Sequence, residues 1–123
     1  MRKRKISAIL ATLAVTSMMG ITVLAGQASC NLSGGGYTGQ GTLQSTGADS
    51  YQGQISSNGC DNRVRVSAIN HYGEYVTNVD SGIVGKTAVA NTSYTWDGTI
   101  GASSWHYLYL HNSQLGETGY CNV

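Results

Sequence analysis

The sequence predicts an all-β protein, a small antiparallel β-sandwich or barrel of about six to eight short strands that follows a cleaved signal peptide. Two observations lead to this prediction. From residue 33 to the C-terminus no window has apolar residues at helical spacing, whereas Gly, Ser, Thr and Asn interrupt the chain every few residues. Between these interruptions apolar and polar residues alternate with a period of two, which is typical of half-buried strands.

The clearest strand is expected at residues 63–70. Alternation there places three apolar side chains on one face and two cations on the other: Val64, Val66 and Ala68 against Arg63 and Arg65. We therefore expect one face of this strand to be buried and the other to be solvated. The turn residues at 71–74 predict a hairpin that leads into a second strand at 75–79.

Further strands are expected on both sides of this hairpin. Residues 34–57 are low in apolar content and rich in Gly, Gln, Ser and Thr, so they predict two edge strands. Two short strands are expected at 86–90 and 93–96, before an Asp-Gly turn. The strongest strand is expected at 105–111, where both faces are mostly apolar, so we expect it to be central in a sheet and covered on both sides.

The N-terminus has the three-part plan of a secretory signal peptide. Four cations within residues 1–5 precede an apolar stretch at 6–24, and small residues follow it. Positive charge stays on the cytoplasmic side of the membrane, so the rest of the chain is expected to be exported. We expect cleavage after Ala28, which makes residues 1–28 the signal, with cleavage after Ala25 or an uncleaved anchor as alternatives.

The exported part is expected to comprise a flexible segment at residues 29–36 and a single all-β domain at residues 37–123. It carries three basic residues and six acidic ones, a net charge of −3. A mildly acidic surface cannot displace many counterions from phosphates, so we expect no binding to nucleic acid. The expected location of the mature protein is extracellular.

Three cysteines lie in the exported part, where disulfide bonds persist: Cys30, Cys60 and Cys121. Three pairings are possible, and we favour Cys60 with Cys121 because each lies beside a turn signal. Cys30 would then keep a free thiol. In an alternative interpretation Cys30 is the lipidated first residue of a lipoprotein, and only in that case do we expect contact with a membrane.

No motif in the sequence indicates catalysis or a metal site. No serine stands in a Gly-x-Ser-x-Gly turn, and no Gly-rich run precedes a helix. His106 and His111 are five residues apart on one expected strand, so they point to opposite faces and do not share an ion. No two cysteines have the spacing of zinc ligands. We therefore expect no catalytic residue, no metal or other cofactor, and no enzyme activity.

Aromatic residues are the strongest functional signal in the sequence. The chain has eight Tyr and two Trp but no Phe, and so small a domain cannot bury all of these rings. Rings left on the surface stack on sugars and anchor protein interfaces. The candidate binding residues are Tyr72, Tyr94, Trp96 and Trp105. They predict a secreted module that binds a protein or a glycan at a cell surface.

The layout of signal peptide, frequent Gly, Ser, Asn and Tyr, and strands throughout resembles small secreted bacteriocins of the lactococcin 972 type. The run Asn58-Gly59-Cys60, followed by alternating valines, resembles small all-β amylase inhibitors. The Trp-containing motifs of both families are missing here, so no residue role is carried over. A bacteriocin-like toxin and a lipid-anchored immunity or surface-accessory factor are therefore the alternative functions.

Overall fold

The computed structural model describes residues 22–24 and 26–123, and these residues form nine β-strands and no α-helix. In chain order the strands are β1 (Thr22–Leu24), β2 (Gln27–Gly34), β3 (Tyr37–Gly47), β4 (Ser50–Ser57), β5 (Asp61–Ile69), β6 (Val79–Asp80), β7 (Ala88–Ser93), β8 (Gly101–Leu110) and β9 (Ser113–Asn122). They form two antiparallel sheets with the strand orders β1-β2-β3-β4-β7 and β6-β5-β8-β9. The sheets pack face to face, so the predicted small antiparallel β-sandwich is confirmed. Within the described residues there is no helix long and apolar enough to cross a membrane.

The N-terminal region differs from the flexible segment that the sequence led us to expect. The expected signal peptide, residues 1–28, lies mostly outside the described residues, and its described part enters β1 and β2. Residues 29–36 form the rest of β2 and the turn after it rather than a tether. Cys30 and Leu32 of β2 are buried in the core. The Gly and Ser residues around them concealed this apolar alternation in the sequence.

The core lies between the two sheets and is built mainly from small and medium-sized side chains. The alternation expected at residues 63–70 is confirmed, because Val64, Val66 and Ala68 are fully buried on the inner face of β5. The other large side chains that are fully buried come from both sheets: Leu43 and Ile55 from the first, His106 and Leu108 from the second.

Glycines on the inner face of the first sheet leave room for larger side chains from the second sheet. A Cβ atom built on Gly41 in β3 would lie 2.5 Å from Cγ and Nδ1 of His106. A Cβ atom on Gly53 in β4 would lie 2.5 Å from Cγ2 of Val66. Real side chains do not approach this closely, so these strand positions require glycine for the sheets to pack at their present separation.

Gly41→Ala is expected to lower the free energy of unfolding by about 1 to 3 kcal/mol, because the added methyl group overlaps the buried ring of His106. Gly47→Ala is the matched control, since a Cβ atom there makes only ordinary contacts with Ser50 at 3.6 Å. Urea unfolding of both variants and of the unsubstituted protein measures the difference. Equal stability of the two variants would show that the His106 ring does not pack against β3.

Two of the expected strand assignments differ from the structure. Residues 75–79 form only an isolated bridge to β5 and the start of the two-residue strand β6. Here the Thr77 hydroxyl accepts a hydrogen bond from the backbone N–H of Ala68. A side chain therefore takes the place of a backbone carbonyl of a neighbouring strand. The strands expected at 86–90 and 93–96 are a single strand, β7, which pairs with β4 at the edge of the first sheet.

Strands β2 and β9 belong to different sheets but contact each other closely along one side of the sandwich. A Cβ atom on Gly34 would lie 2.6 Å from the backbone nitrogen of Gly116, which has φ +66°, a left-handed conformation that favours glycine. Nearer the core, a Cβ atom on Gly119 would lie 2.9 Å from the sulfur of Cys30. Because all three glycines lack a side chain, the two strands can approach until Cys30 meets Cys121.

Candidate functional site

Alternation along β8 divides its side chains between the two surfaces of the second sheet. His106 and Leu108 point inward and are fully buried, whereas Trp105, Tyr107 and Tyr109 lie on the outer surface and are only half-buried. The strand is central in its sheet, between β5 and β9, as predicted. The expectation that both of its surfaces are covered is wrong, because no third layer of described residues packs on the outer one.

Trp105 is the central member of a row of side chains that crosses three strands. In the strand register it stands between Arg65 of β5 and Tyr120 of β9. The rings of Tyr75 and Tyr120 meet Trp105 edge to face, with centroids 5.5 Å and 5.6 Å away. The guanidinium of Arg65 lies over the Trp105 ring, 4.8 Å from its centroid, in a cation–π contact.

A second row of rings lies next to the first and is tied to Arg63. The Arg63 guanidinium lies 5.4 Å from the centroid of the Tyr107 ring and donates a hydrogen bond to the Tyr109 hydroxyl at 3.1 Å. It also forms a bidentate ion pair with Asp80, at 3.0 Å and 2.5 Å. Hydrogen bonds from the guanidinium lower the pKa of Asp80. The two rows together form one outer surface, which we call the aromatic face. It consists of Arg65, Tyr75, Trp105, Tyr107, Tyr109 and Tyr120.

The aromatic face carries one cation, Arg65, that forms no direct ion pair with a described carboxylate. Asp80 neutralises Arg63, whereas no carboxylate in the described part of the chain lies within ion-pair distance of Arg65. Arg65, Tyr75 and Trp105 line a groove of about 570 Å³ that is open to solvent. The groove therefore offers a positive charge next to two rings.

A second groove, of about 630 Å³, lies on the other sheet around the ends of β2, β3 and β4. Its lining residues include Leu32, Thr38 and Ser56, and none of the lining residues is charged or aromatic. It lacks the ring and charge groups that most often anchor a specific ligand. The aromatic face is therefore the stronger candidate for a binding surface.

The four candidate binding residues do not form one site. Trp105 lies in the aromatic face, whereas Tyr72 and Trp96 lie on loops and are 80 % and 86 % exposed. Tyr94 follows β7 of the first sheet, where it is half-buried and packs against the core. Tyr75 and Tyr120 were not among the candidate residues, because their contacts with Trp105 depend on how the chain segments are placed beside one another in the sheet.

Two thiols and one imidazole, those of Cys30, Cys121 and His106, form a cluster that is buried between the sheets. The sulfur atoms of Cys30 and Cys121 are 3.4 Å apart, and Cys121 donates to Cys30. Nε2 of His106 forms a 2.7 Å hydrogen bond with the Ser104 hydroxyl, while its Nδ1 has no hydrogen-bond partner among the described residues. Burial lowers the pKa of His106 to about 4, so the ring is neutral at physiological pH.

This cluster has two chemical options, a metal ion or a disulfide bond. The donor atoms of Cys30, His106 and Cys121 all lie within 4.8 Å of one another, and thiolate with imidazole suits zinc or copper. Structural zinc takes four protein ligands, and the described residues provide three here. A disulfide bond needs only the two sulfurs, which already touch. His111, by contrast, is exposed in the turn between β8 and β9 and takes no part in the cluster.

The structure places Cys60 away from the partner that we expected for it. The sulfur of Cys121 contacts Cys30, whereas the sulfur of Cys60 contacts the Ser57 hydroxyl at 3.4 Å in the turn between β4 and β5. The expected Cys60–Cys121 pairing therefore does not match the geometry. The missed signal was the alternation of Cys30 with Leu32, which indicated that Cys30 points into the core.

Comparison with known proteins adds no assignment to this geometry. No protein-family model matches the sequence. Neither the curated proteins nor the solved structures contain a significant match. A functional proposal must therefore start from the aromatic face and the buried cysteine–histidine cluster.

Proposed function

We propose that this protein is an exported binding module that recognises a protein at a cell surface through the aromatic face. The observation that carries the proposal is the position of Trp105 on the outer surface of the second sheet, flanked by Tyr75 and Tyr120. The core lies on the opposite surface of that sheet, so packing of the core does not require these rings. Trp, Tyr and Arg are the residues most enriched at the energetic centres of protein interfaces.

The contacts of Trp105 favour a protein ligand over a glycan. A sugar stacks on a bare ring face, but the guanidinium of Arg65 lies over one face of Trp105 at 4.8 Å. Tyr75 and Tyr120 remain 56 % and 39 % exposed beside it. The surface therefore presents a mixed set of ring edges and one guanidinium rather than a free stacking platform.

The charge of the aromatic face indicates which group a partner would place against it. Arg65 forms no direct ion pair in the described chain, because Asp80, which faces it across β5 and β6, is bound to Arg63, while the exported part as a whole is acidic. A guanidinium binds a carboxylate through two parallel hydrogen bonds. We therefore expect an Asp or Glu side chain of the partner to lie against Arg65.

The aromatic face is also held in place before any ligand binds. The hydroxyls of Tyr120 and Ser103 are 2.8 Å apart, and the side-chain amide of Asn122 donates to Ser103 at 2.9 Å. Side chains that are already fixed lose little conformational entropy on binding. Because these hydrogen bonds already fix the side chains, a ligand can bind without rearrangement of the sheet.

Export is part of the proposal, and the core affects where the signal peptide would be cut. Ala28 is 1 % exposed in the core, so cleavage after Ala28 would remove a buried side chain. Cleavage after Ala25 would keep it, and we now favour that site. A lipidated Cys30 would have to withdraw its sulfur from Cys121, so the lipoprotein alternative fits the core poorly.

Binding of the purified protein to bacterial cells tests the proposal. Trp105→Ala is expected to weaken binding at least about tenfold, and Arg65→Gln should weaken it in a salt-dependent way. Trp96→Ala is the matched control, because Trp96 is an exposed tryptophan on the loop between β7 and β8 and is not among the rings that contact Trp105. Protease treatment of the cells should abolish binding.

Three results would contradict this proposal. Binding that survives protease but is lost after glycosidase treatment would assign the ligand to glycans. An equal loss of binding in Trp96→Ala would move the site to the loops. Killing of related bacteria by the purified protein, unchanged in Trp105→Ala, would instead support the bacteriocin-like alternative.

A further inference from the structure

We propose that Cys30 and Cys121 form a disulfide bond that links the two sheets of the sandwich and leaves Cys60 as a single buried thiol. The sulfurs of Cys30 and Cys121 are 3.4 Å apart, and both residues are buried, 4 % and 0 % exposed. Cys30 lies on β2 of the first sheet and Cys121 on β9 of the second. No backbone ladder joins β2 to β9, so the bond would add a connection that the sheets do not supply.

The packing around the two sulfurs is arranged for their approach. Gly119 lies two residues before Cys121, and a Cβ atom on it would overlap the Leu32 side chain and lie 2.9 Å from the sulfur of Cys30. Further along the same strands, Gly34 and Gly116 allow the two backbones to touch. The contact between the cysteines is therefore part of a continuous close crossing of β2 and β9.

The chemistry of the pair suits thiol–disulfide exchange with a small-molecule disulfide, such as oxidised glutathione, as the oxidant. The Cys30 thiolate attacks one sulfur of the oxidant, which forms a mixed disulfide and releases one thiolate of the oxidant. Cys121 then loses its proton and attacks the Cys30 sulfur, which releases the second thiolate. Two protein thiols thus give up two protons and two electrons to the oxidant. In the folded chain hydrogen bonding from Cys121 lowers the pKa of Cys30, but both sulfurs are buried, so we expect this exchange to take place during folding, before the sheets enclose them.

Cys60 lacks a sulfur neighbour of this kind. Its own sulfur donates to the Ser57 hydroxyl at 3.4 Å, and that hydroxyl donates to the Cys60 carbonyl at 3.0 Å. These contacts hold Cys60 in the turn between β4 and β5. We therefore expect Cys60 to remain reduced when the other two cysteines are oxidised.

Alkylation of the refolded protein tests the assignment. The full chain is refolded in a buffer of reduced and oxidised glutathione, denatured without reductant, treated with iodoacetamide and mapped as peptides. We expect one alkylated cysteine, Cys60, before reduction and all three after it, with one linked peptide that contains Cys30 and Cys121. A linked peptide that contains Cys60, or three alkylated cysteines before reduction, would overturn the proposal.

Single substitutions and a metal assay complete the test. Cys60→Ser should keep the linked peptide at the same yield, whereas Cys121→Ser should leave both remaining cysteines open to alkylation. If Cys121→Ser does not fold, the peptide map of the unsubstituted chain still shows which two cysteines are linked. Zinc or copper bound in a one-to-one ratio, together with three reduced thiols, would overturn the disulfide and assign Cys30, His106 and Cys121 to a metal site.

Discussion

Reduction of the Cys30–Cys121 bond is expected to lower the free energy of unfolding by about 4 to 5 kcal/mol in the chain-entropy model. The two cysteines are 91 residues apart, so the bond closes almost the whole described chain into one loop and strongly restricts the unfolded state. Small domains have total stabilities of about 5 to 15 kcal/mol, so this loss is a large fraction of the whole. Urea unfolding with and without a thiol reductant measures it.

The two cysteine variants separate the disulfide from other effects of the reductant. Cys60→Ser should remain sensitive to the reductant, because it keeps the bond between β2 and β9. Cys121→Ser should be less stable from the start, and the reductant should not change it further. Equal unfolding midpoints for the unsubstituted protein in oxidised and reduced form would contradict this prediction.

The fold class could be predicted from the sequence because β5 shows its pattern directly. Val64, Val66 and Ala68 alternate with two arginines, and no competing period is present, so the buried face was assigned correctly. The same reasoning failed for β2, where Cys30 and Leu32 alternate among Gly and Ser. In that strand the neighbouring glycines serve close packing, whereas composition alone indicates a flexible linker.

The candidate site was only partly predictable, because its residues meet through strand register. Trp105 was identified from its own strand, but Arg65 and Tyr120 reach it only when β5 and β9 pair with β8 in one particular register. A sequence does not show which strands are neighbours or how they are aligned. The same limit explains the cysteines, since the contact of Cys30 with Cys121 joins strands of different sheets.

His106 is expected to make the protein less stable as the pH falls from 6.5 towards 4. Its pKa is lowered from an ordinary value of 6.5 to about 4, because the ring is fully buried among uncharged groups. The side chains that it meets are the thiols of Cys30 and Cys121 and the hydroxyl of Ser104. None of them carries a negative charge, and the backbone hydrogen bond with Gln54 raises the pKa by less than burial lowers it, so protonation of the folded state is unfavourable.

The sign of the effect follows from proton binding in the two states. Above pH 6.5 the histidine is neutral in both, and the stability is complete. Between pH 6.5 and about 4 only the unfolded chain binds the proton, so the free energy of unfolding falls by about 3 kcal/mol over this window and then levels off. The stability that the Asp80 ion pair contributes is lost mainly below pH 3.8, the ordinary pKa of Asp80 in the unfolded chain, so this loss lies below the window of His106.

Urea unfolding across this pH window measures the slope, and two variants assign it. His106→Gln should flatten the slope, whereas His71→Gln should leave it unchanged, because His71 is exposed in the turn after β5. If His106→Gln does not fold, the ring proton signals of the unsubstituted protein provide the answer by NMR, and they should stay in the neutral form down to about pH 4. A ring that titrates near pH 6.5 while the protein stays folded would mean that His106 is not enclosed between the sheets. The packing against Gly41 would then have to be abandoned as well, since it requires the same buried position.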